Sequence, residues 1–313
     1  MAPSITERSR LDEAARAGWL YYIAGHTQDE IAKRLKVSRA TVQRLVALCL
    51  SERLITFRLE HPITACMDLA ERLSERFGLR TCEVVPSDPG SPTAVAGVAE
   101  RAAALLEAIL RQSRPVIVAI GTGRAMRAAV EQVPPMDRPD HQLVSLVSNI
   151  STDGSATFFD TVGRLAELTK ARHYPTPLPV MMASEAERDR MLEMGPMRKV
   201  RALAERADLR LMGVGQMDRK AQFHVDGFIT HQELGELIRL GAVGELTGWA
   251  YDGNGRFLRG GTNRRLTSLP HPAPARTLTI AAALGPAKVP AIRAVLVGRL
   301  INGLITDEAT AKA

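Results

Sequence analysis

From residue 81 onward, short unbroken apolar runs alternate with amphipathic helical stretches, and no other feature of the chain restricts its fold so strongly. Strands that are apolar at every position are buried on both faces. Spacing them by helices leaves room for a parallel sheet with helices on either side. The runs predict strands at 81–85, 116–120, 143–147, 179–182, 209–214, 248–251 and 277–282. Helices are expected at 66–77, 94–112, 124–132, 161–171 and, last, 289–304.

The first 60 residues follow a different rule. Thr27 can cap a helix, with Glu30 three positions on to complete a capping box, and Ile31, Ala32 and Leu35 give that helix one apolar face. Val37 is expected to fill a tight turn and Ser38 to cap a second helix. Val42 and Leu45 would pack that helix inward, leaving Arg39, Thr41, Gln43 and Arg44 outward. These are groove-facing chemistries: arginine pairs with guanine, glutamine with adenine, and hydroxyls donate to phosphate. A helix at 11–24, packing through Leu11, Ala15, Trp19 and Tyr22 and ended by Gly25, would complete a three-helix scaffold. The alternating segment 54–60 predicts a small wing carrying Arg58 to a phosphate. An ordinary helical hairpin would mix its charges. Here Lys33, Arg34, Lys36, Arg39, Arg44, Arg53 and Arg58 face only Glu52 across 33–58, which favours a polyanionic partner.

The 313 residues suffice for a helix-turn-helix domain at 1–60, all-α with or without the wing, a linker at 61–65 around Pro62, and an α/β domain at 66–313. A net charge of +7 is compatible with a nucleic-acid partner without proving one. Cys49, Cys66 and Cys82 have neither paired spacing nor a histidine cluster beside them, so no disulfide framework, metal or cofactor is expected. The absence of a long apolar run or a secretory leader predicts a cytoplasmic protein without a membrane partner.

Gly121-Thr122-Gly123-Arg124 falls at the carboxyl end of a predicted strand, where open α/β sheets bind ligands. It is either an anion-holding turn, with Arg124 adding charge or facing solvent, or only a tight strand-to-helix connection. Lys288 enters the last helix, whose first turn Pro290 pre-sets, and can pair with the same anion. Glu245 and Asp252 either accept hydrogen bonds from sugar hydroxyls or cap turns and pair with Arg256 and Arg259.

With Cys66-Met-Asp-Leu-Ala-Glu-Arg-Leu73, Gly213-Val-Gly215, Gly241-Ala-Val-Gly-Glu245 and the ending 298–308, these segments resemble, in order, the SorC family of sugar-responsive bacterial transcriptional regulators. The resemblance spans nearly the whole chain. It implies an effector domain with the fold of sugar-phosphate isomerases and deaminases, homodimers or homotetramers on operator DNA, and a sugar, polyol or phosphosugar as effector. Gly121, Thr122 and Gly123 then match the family's phosphate loop and Lys288 its following lysine. Gly285-Pro286 departs from the family's glycine-rich turn. Ser148 and Asn149 match positions lining the sugar pocket, although Asn149 can equally hold its own turn. The competing expectation is an isomerase- or deaminase-type enzyme with an added DNA-binding domain. For it, His173, His224, His231, Asp153 and Asp226 are the acid-base candidates.

Overall fold

The computed structural model describes residues 5–52, 54–55, 63–148, 150–151, 154–156 and 160–313. The chain divides into two compact units, residues 1–61 and 62–313.

In the first unit, α1 (Ile5–Gly18) runs into one wide helical turn (Trp19–Ile23), followed by α2 (Gln28–Leu35) and α3 (Arg39–Ser51). The capping box forms: Glu30 N–H donates to Thr27 Oγ1 at 3.3 Å, and Thr27 N–H donates to Glu30 Oε2 at 2.8 Å. The Thr27 N–H, together with the Thr27 hydroxyl donating to Glu30 Oε2 at 3.0 Å, holds the Glu30 carboxyl below the usual carboxylate range. The turn after α2 is made by Lys36 in the left-handed conformation, φ 56°, whereas Val37 stays 37% exposed and does not fill it. The packing face of α1 also differs from expectation. Ala14 and Ala17 are buried against α3 while Trp19 is 56% exposed, because only small side chains let α1 lie close on its neighbour. Residues 56–60, and with them the expected wing and Arg58, lie outside the described residues.

The second unit begins with α4 (Thr64–Phe77), β1 (Thr81–Val85), α5 (Ala96–Leu110), β2 (Ile117–Ile120), α6 (Arg124–Val130), β3 (Gln142–Ser145), α7 (Thr161–Thr169) and β4 (Arg172–Tyr174). It continues through α8 (Glu185–Leu192), α9 (Gly195–Glu205), β5 (Leu209–Met212), β6 (Gly215–Gln216), α10 (Gln222–Val225) and α11 (His231–Arg239). It closes with β7 (Gly244–Leu246), β8 (Trp249–Tyr251), β9 (Leu278–Ala282), α12 (Val289–Val297), β10 (Gly303–Asp307) and α13 (Glu308–Lys312).

Seven strands make one parallel sheet in the order β1-β10-β9-β5-β2-β3-β4. Side chains alternate between two cores. Val118, Ile120, Leu211 and Ile305 meet α5, α6 and α7, while Ala119, Met212, Ala281 and Leu304 meet α9 and α12. A separate antiparallel sheet, β6-β7-β8, packs with α10 and α11 around Phe223, Leu237 and Leu266.

Two strand expectations and one helix expectation need correction. Residues 179–182 form a single antiparallel bridge, Met181 to Leu266, and the fourth parallel strand is instead the polar Arg172–Tyr174. An edge strand has one hydrogen-bonded neighbour and water beside it, so it does not require an apolar sequence. Trp249–Tyr251 belongs to the small antiparallel sheet. The last helix stops at Val297, where Arg299 turns left-handed at φ 53°, and the apolar residues beyond it form β10, buried between β1 and β9. A short apolar run continuing a helix cannot be told from a buried strand by periodicity alone.

Candidate functional site

Five of the six residues expected to read DNA sit on α3 or its cap. Ser38 Oγ accepts Thr41 N–H at 3.1 Å and lies 2.9 Å from Thr41 Oγ1, to which Arg44 Nη2 donates at 3.3 Å. Val42, Leu45, Val46 and Cys49 face the core, so Arg39, Gln43 and Arg44 project into solvent. Arg39 lies 3.6 Å from Asp29 with both side chains largely exposed. Such a pair contributes little and leaves the guanidinium available to another anion.

In the second unit, β2 continues to β3 and β4 on one side, whereas β5, β9 and β10 lie on the other. Neighbouring connections therefore diverge beyond the carboxyl ends of β2 and β5, the switch point at which open parallel sheets bind ligands. A cavity of about 380 Å³ opens there, walled by the loop after β2, the Gly213-Val214-Gly215 turn after β5, the β7–β8 hairpin and the turn before α12.

Thr122, Gly123 and Arg124 line it, with Ala125 and Met126 of α6's first turn, whose N–H groups have no partner inside the helix. Gly123 has φ 109°, a conformation closed to most side chains, and turns the chain into α6. Gly121 is not part of the lining. It sits behind the loop, donating to Leu211 O at 2.8 Å and accepting from Thr161 Oγ1 at 2.7 Å.

Four charged groups line the cavity, Arg124, Lys288, Glu245 and Asp226, with Lys288 within electrostatic reach of Arg124 and Glu245, and Glu245 within reach of Asp226. Burial pushes the Lys288 ammonium down, with Arg124 adding to the effect and Glu245 opposing it. Burial pushes the Glu245 carboxyl up. The Gly248 N–H at 2.6 Å and Lys288 oppose that shift, and Asp226 reinforces it. The cavity thus has a cationic end and an acidic end, with Gln216 and Gln222 beside the latter; Gln222 Nε2 donates to Asp226 Oδ1 at 2.6 Å. One end can hold an anion and the other can accept from hydroxyls.

Tyr251 braces the β7–β8 hairpin against α12. Wholly buried under Glu245, it donates its hydroxyl to Ala291 O at 3.2 Å and so ties β8 to α12, which begins beside Lys288 with Pro290 in its first turn. The β7–β8 turn has two residues, Thr247 at φ 48° and Gly248 at φ 91°. A β-branched residue in that conformation is strained, and here it lines the cavity. Thr247 Oγ1 lies 2.7 Å from Nε2 of buried His271, whose pKa burial and the nearby Arg210 charge depress to about 3. Neutral His271 therefore supports Thr247 from behind the wall.

Other expected residues fall elsewhere. Asp252 does not line the cavity: its Oδ1 accepts the N–H groups of Asn254 and Arg256 at 2.9 and 3.0 Å, because the chain reverses directly after β8. Ser148 lines a smaller neighbouring cavity of about 150 Å³, shared with Thr122 and His173, and its Oγ accepts Ile150 N–H at 3.0 Å. Asn149 and Asp153 lie outside the described residues. His224 Nδ1 is 2.8 Å from Ile229 O and its ring is 5.7 Å from that of His231; of the five acid-base candidates, Asp226 lines the main cavity. Gln216, Gln222 and Thr247 escaped the sequence reading. No local pattern marks an amide or hydroxyl that reaches a site through strand order.

Two family models match the chain: a putative sugar-binding domain over residues 61–313 and a homeodomain-like domain over residues 9–51. The chain is 33% identical to the erythritol catabolism regulatory protein EryD of Brucella abortus, covering 96% of this chain and 95% of that one. It is 30% identical to the transcriptional regulator LsrR of Klebsiella pneumoniae, covering 96% and 91%. Its fold is similar to that of the full-length sorbitol operon regulator SorC from Klebsiella pneumoniae, with TM-score 0.70 and 22% identity over 97% of this chain and 98% of that one.

Proposed function

Since the chain belongs to the SorC family of sugar-binding bacterial transcriptional regulators, we propose that a sugar, polyol or phosphosugar in the β2–β5 cavity controls its binding to operator DNA through α3. The observation that carries this reading is that two basic groups, Arg124 and Lys288, and two acidic groups, Glu245 and Asp226, line one cavity. A phosphate suits the first pair, met by Thr122 and the first turn of α6, and hydroxyls suit the second. The relative named for erythritol catabolism makes erythritol and its phosphate the first compounds to try.

In this reading the α/β unit is a sugar-phosphate isomerase or deaminase fold used for sensing, and the chain turns over no substrate. It works as a dimer or tetramer in the cytoplasm, with symmetric protomers meeting half-sites spaced by whole helical turns.

The test is a thermal-shift screen of sugars, polyols and their phosphates, followed by calorimetry of each compound that raises the midpoint. Lys288→Ala and Thr122→Ala each remove a donor to a charged ligand, so each should weaken a phosphosugar by roughly ten- to a hundredfold. Ligand-free operator binding should persist in both variants. A ligand held equally well by both variants would place recognition elsewhere, and steady product formation from it would restore the enzyme reading.

A further inference from the structure

Both residues of the β7–β8 turn have positive φ, 48° at Thr247 and 91° at Gly248. Two-residue hairpin turns of that conformation ordinarily carry Asn-Gly, Asp-Gly or Gly-Gly. A β-branched residue held there is strained, and strained residues gather where a site needs a particular side chain. Backbone preference does not place Thr247 in this turn, so its side chain has to account for it.

The methyl group of Thr247 is turned toward the loop after β2, since a Cβ on Gly121 would lie 3.4 Å from Thr247 Cγ2. Oγ1 lies 2.7 Å from His271 Nε2. The residue is half-buried in the wall of the β2–β5 cavity, beside the loop that carries Thr122.

His271 decides which partner donates. Its ring is buried and neutral, and Nδ1 has no hydrogen-bond partner among the described residues. A neutral imidazole carries its proton on one nitrogen and accepts at the other. A proton on Nδ1 would be a buried N–H without an acceptor, which folded proteins avoid more strictly than a bare lone pair. The proton therefore belongs on Nε2, and His271 donates to Thr247 Oγ1. That leaves the Thr247 hydroxyl proton to be donated in turn, and no acceptor for it stands among the described residues. The cavity that Thr247 lines is where an acceptor can be supplied.

We propose that Thr247 is a specificity-determining residue of this cavity, donating its hydroxyl to an oxygen of the effector on the side of the Thr122 loop, and that His271 is the positioning residue that fixes this direction. The proposal rests on the reading of the cavity as an effector site. It adds to that reading a neutral donor, backed by a buried histidine, which requires a hydroxyl, ether or carbonyl oxygen at that point of the ligand.

NMR of the full chain carrying isotope-labelled histidine, with the His271 signals assigned by their loss in His271→Gln, tests the proton's place without any ligand. Nε2 should be protonated and Nδ1 bare at neutral pH. Calorimetry with erythritol 4-phosphate tests the donor. Thr247→Val keeps the branched shape and removes the hydroxyl, and should weaken this probe by about three- to tenfold, whereas Thr247→Ser should bind it as wild type does. His271→Leu should also weaken it, and should weaken it no further in the Thr247→Val background, because His271 acts through that hydroxyl. A merely structural histidine would add its own loss. A proton on Nδ1, wild-type affinity in folded Thr247→Val, or additive losses would each overturn the proposal. The NMR measurement uses wild type, so it decides even where a variant fails to fold. Lys288→Ala separates the two levels: loss there with Thr247→Val unchanged removes Thr247 and leaves the effector reading, whereas no saturable binding to wild type removes both.

Discussion

Gly215→Ala should disable the acidic end of the sugar cavity without removing a charge. Gly215 pairs with Glu245 across β6 and β7, and a Cβ there would lie 1.9 Å from Glu245 Oε1, 2.8 Å from Cδ and 3.0 Å from Cγ. The side chain must swing away and release the 2.6 Å hydrogen bond from Gly248 N–H. A hydrogen bond to a charged group contributes about 1.5–3 kcal/mol, and the lower end applies because Glu245 is open to the cavity, where water can replace the donor. Replacing glycine where its backbone conformation suits alanine returns about 0.4–1 kcal/mol through the unfolded chain. The net loss of stability should therefore be small, about 1 kcal/mol. A ligand whose hydroxyls Glu245 accepts should weaken by roughly tenfold, the equivalent of about 1.4 kcal/mol. Urea unfolding and calorimetry of Gly215→Ala, Glu245→Ala and the double variant measure both effects. Because the clash acts through Glu245, adding Gly215→Ala to Glu245→Ala should leave ligand affinity unchanged and raise stability by the about 0.4–1 kcal/mol of the glycine replacement. An equal penalty in both backgrounds, or wild-type ligand affinity in folded Gly215→Ala, would refute the reasoning.

Arg44→Ala should weaken operator binding in gel-shift titrations by about 1–3 kcal/mol while leaving the fold intact, since its side chain is exposed. Ser38→Ala removes the cap of α3 and should cost about 1 kcal/mol in urea unfolding. His271 is neutral in the fold down to about pH 3, whereas the unfolded chain protonates it below 6.5, so its contribution is complete above pH 6.5 and is lost as the pH falls toward 3. In that window wild type should lose up to about 1.4 kcal/mol per pH unit more than His271→Gln; equal slopes in urea midpoints would show that the imidazole takes its proton while folded.

Much of this protein is written locally. The Thr27–Glu30 box, the Ser38 cap, the inward Val42 and Leu45, and the doubly buried strands depend on side chains within about four positions or on runs apolar at every residue. The turn at Gly123 and the position of Lys288 at the head of α12 are legible for the same reason. Tertiary structure decided the rest. It ended α12 at Val297 and drew the following residues into the sheet between β1 and β9, where pairing outweighed a continuous helical pattern. It gave a polar segment to the β4 edge, turned Asp252 onto its own backbone, and carried Gln216, Gln222 and Thr247 to a wall shared with Thr122. Strand order brings these residues together across long stretches of chain. Capping and periodicity record interactions over a few residues, whereas a cavity at a switch point exists only once the strands on both sides are paired.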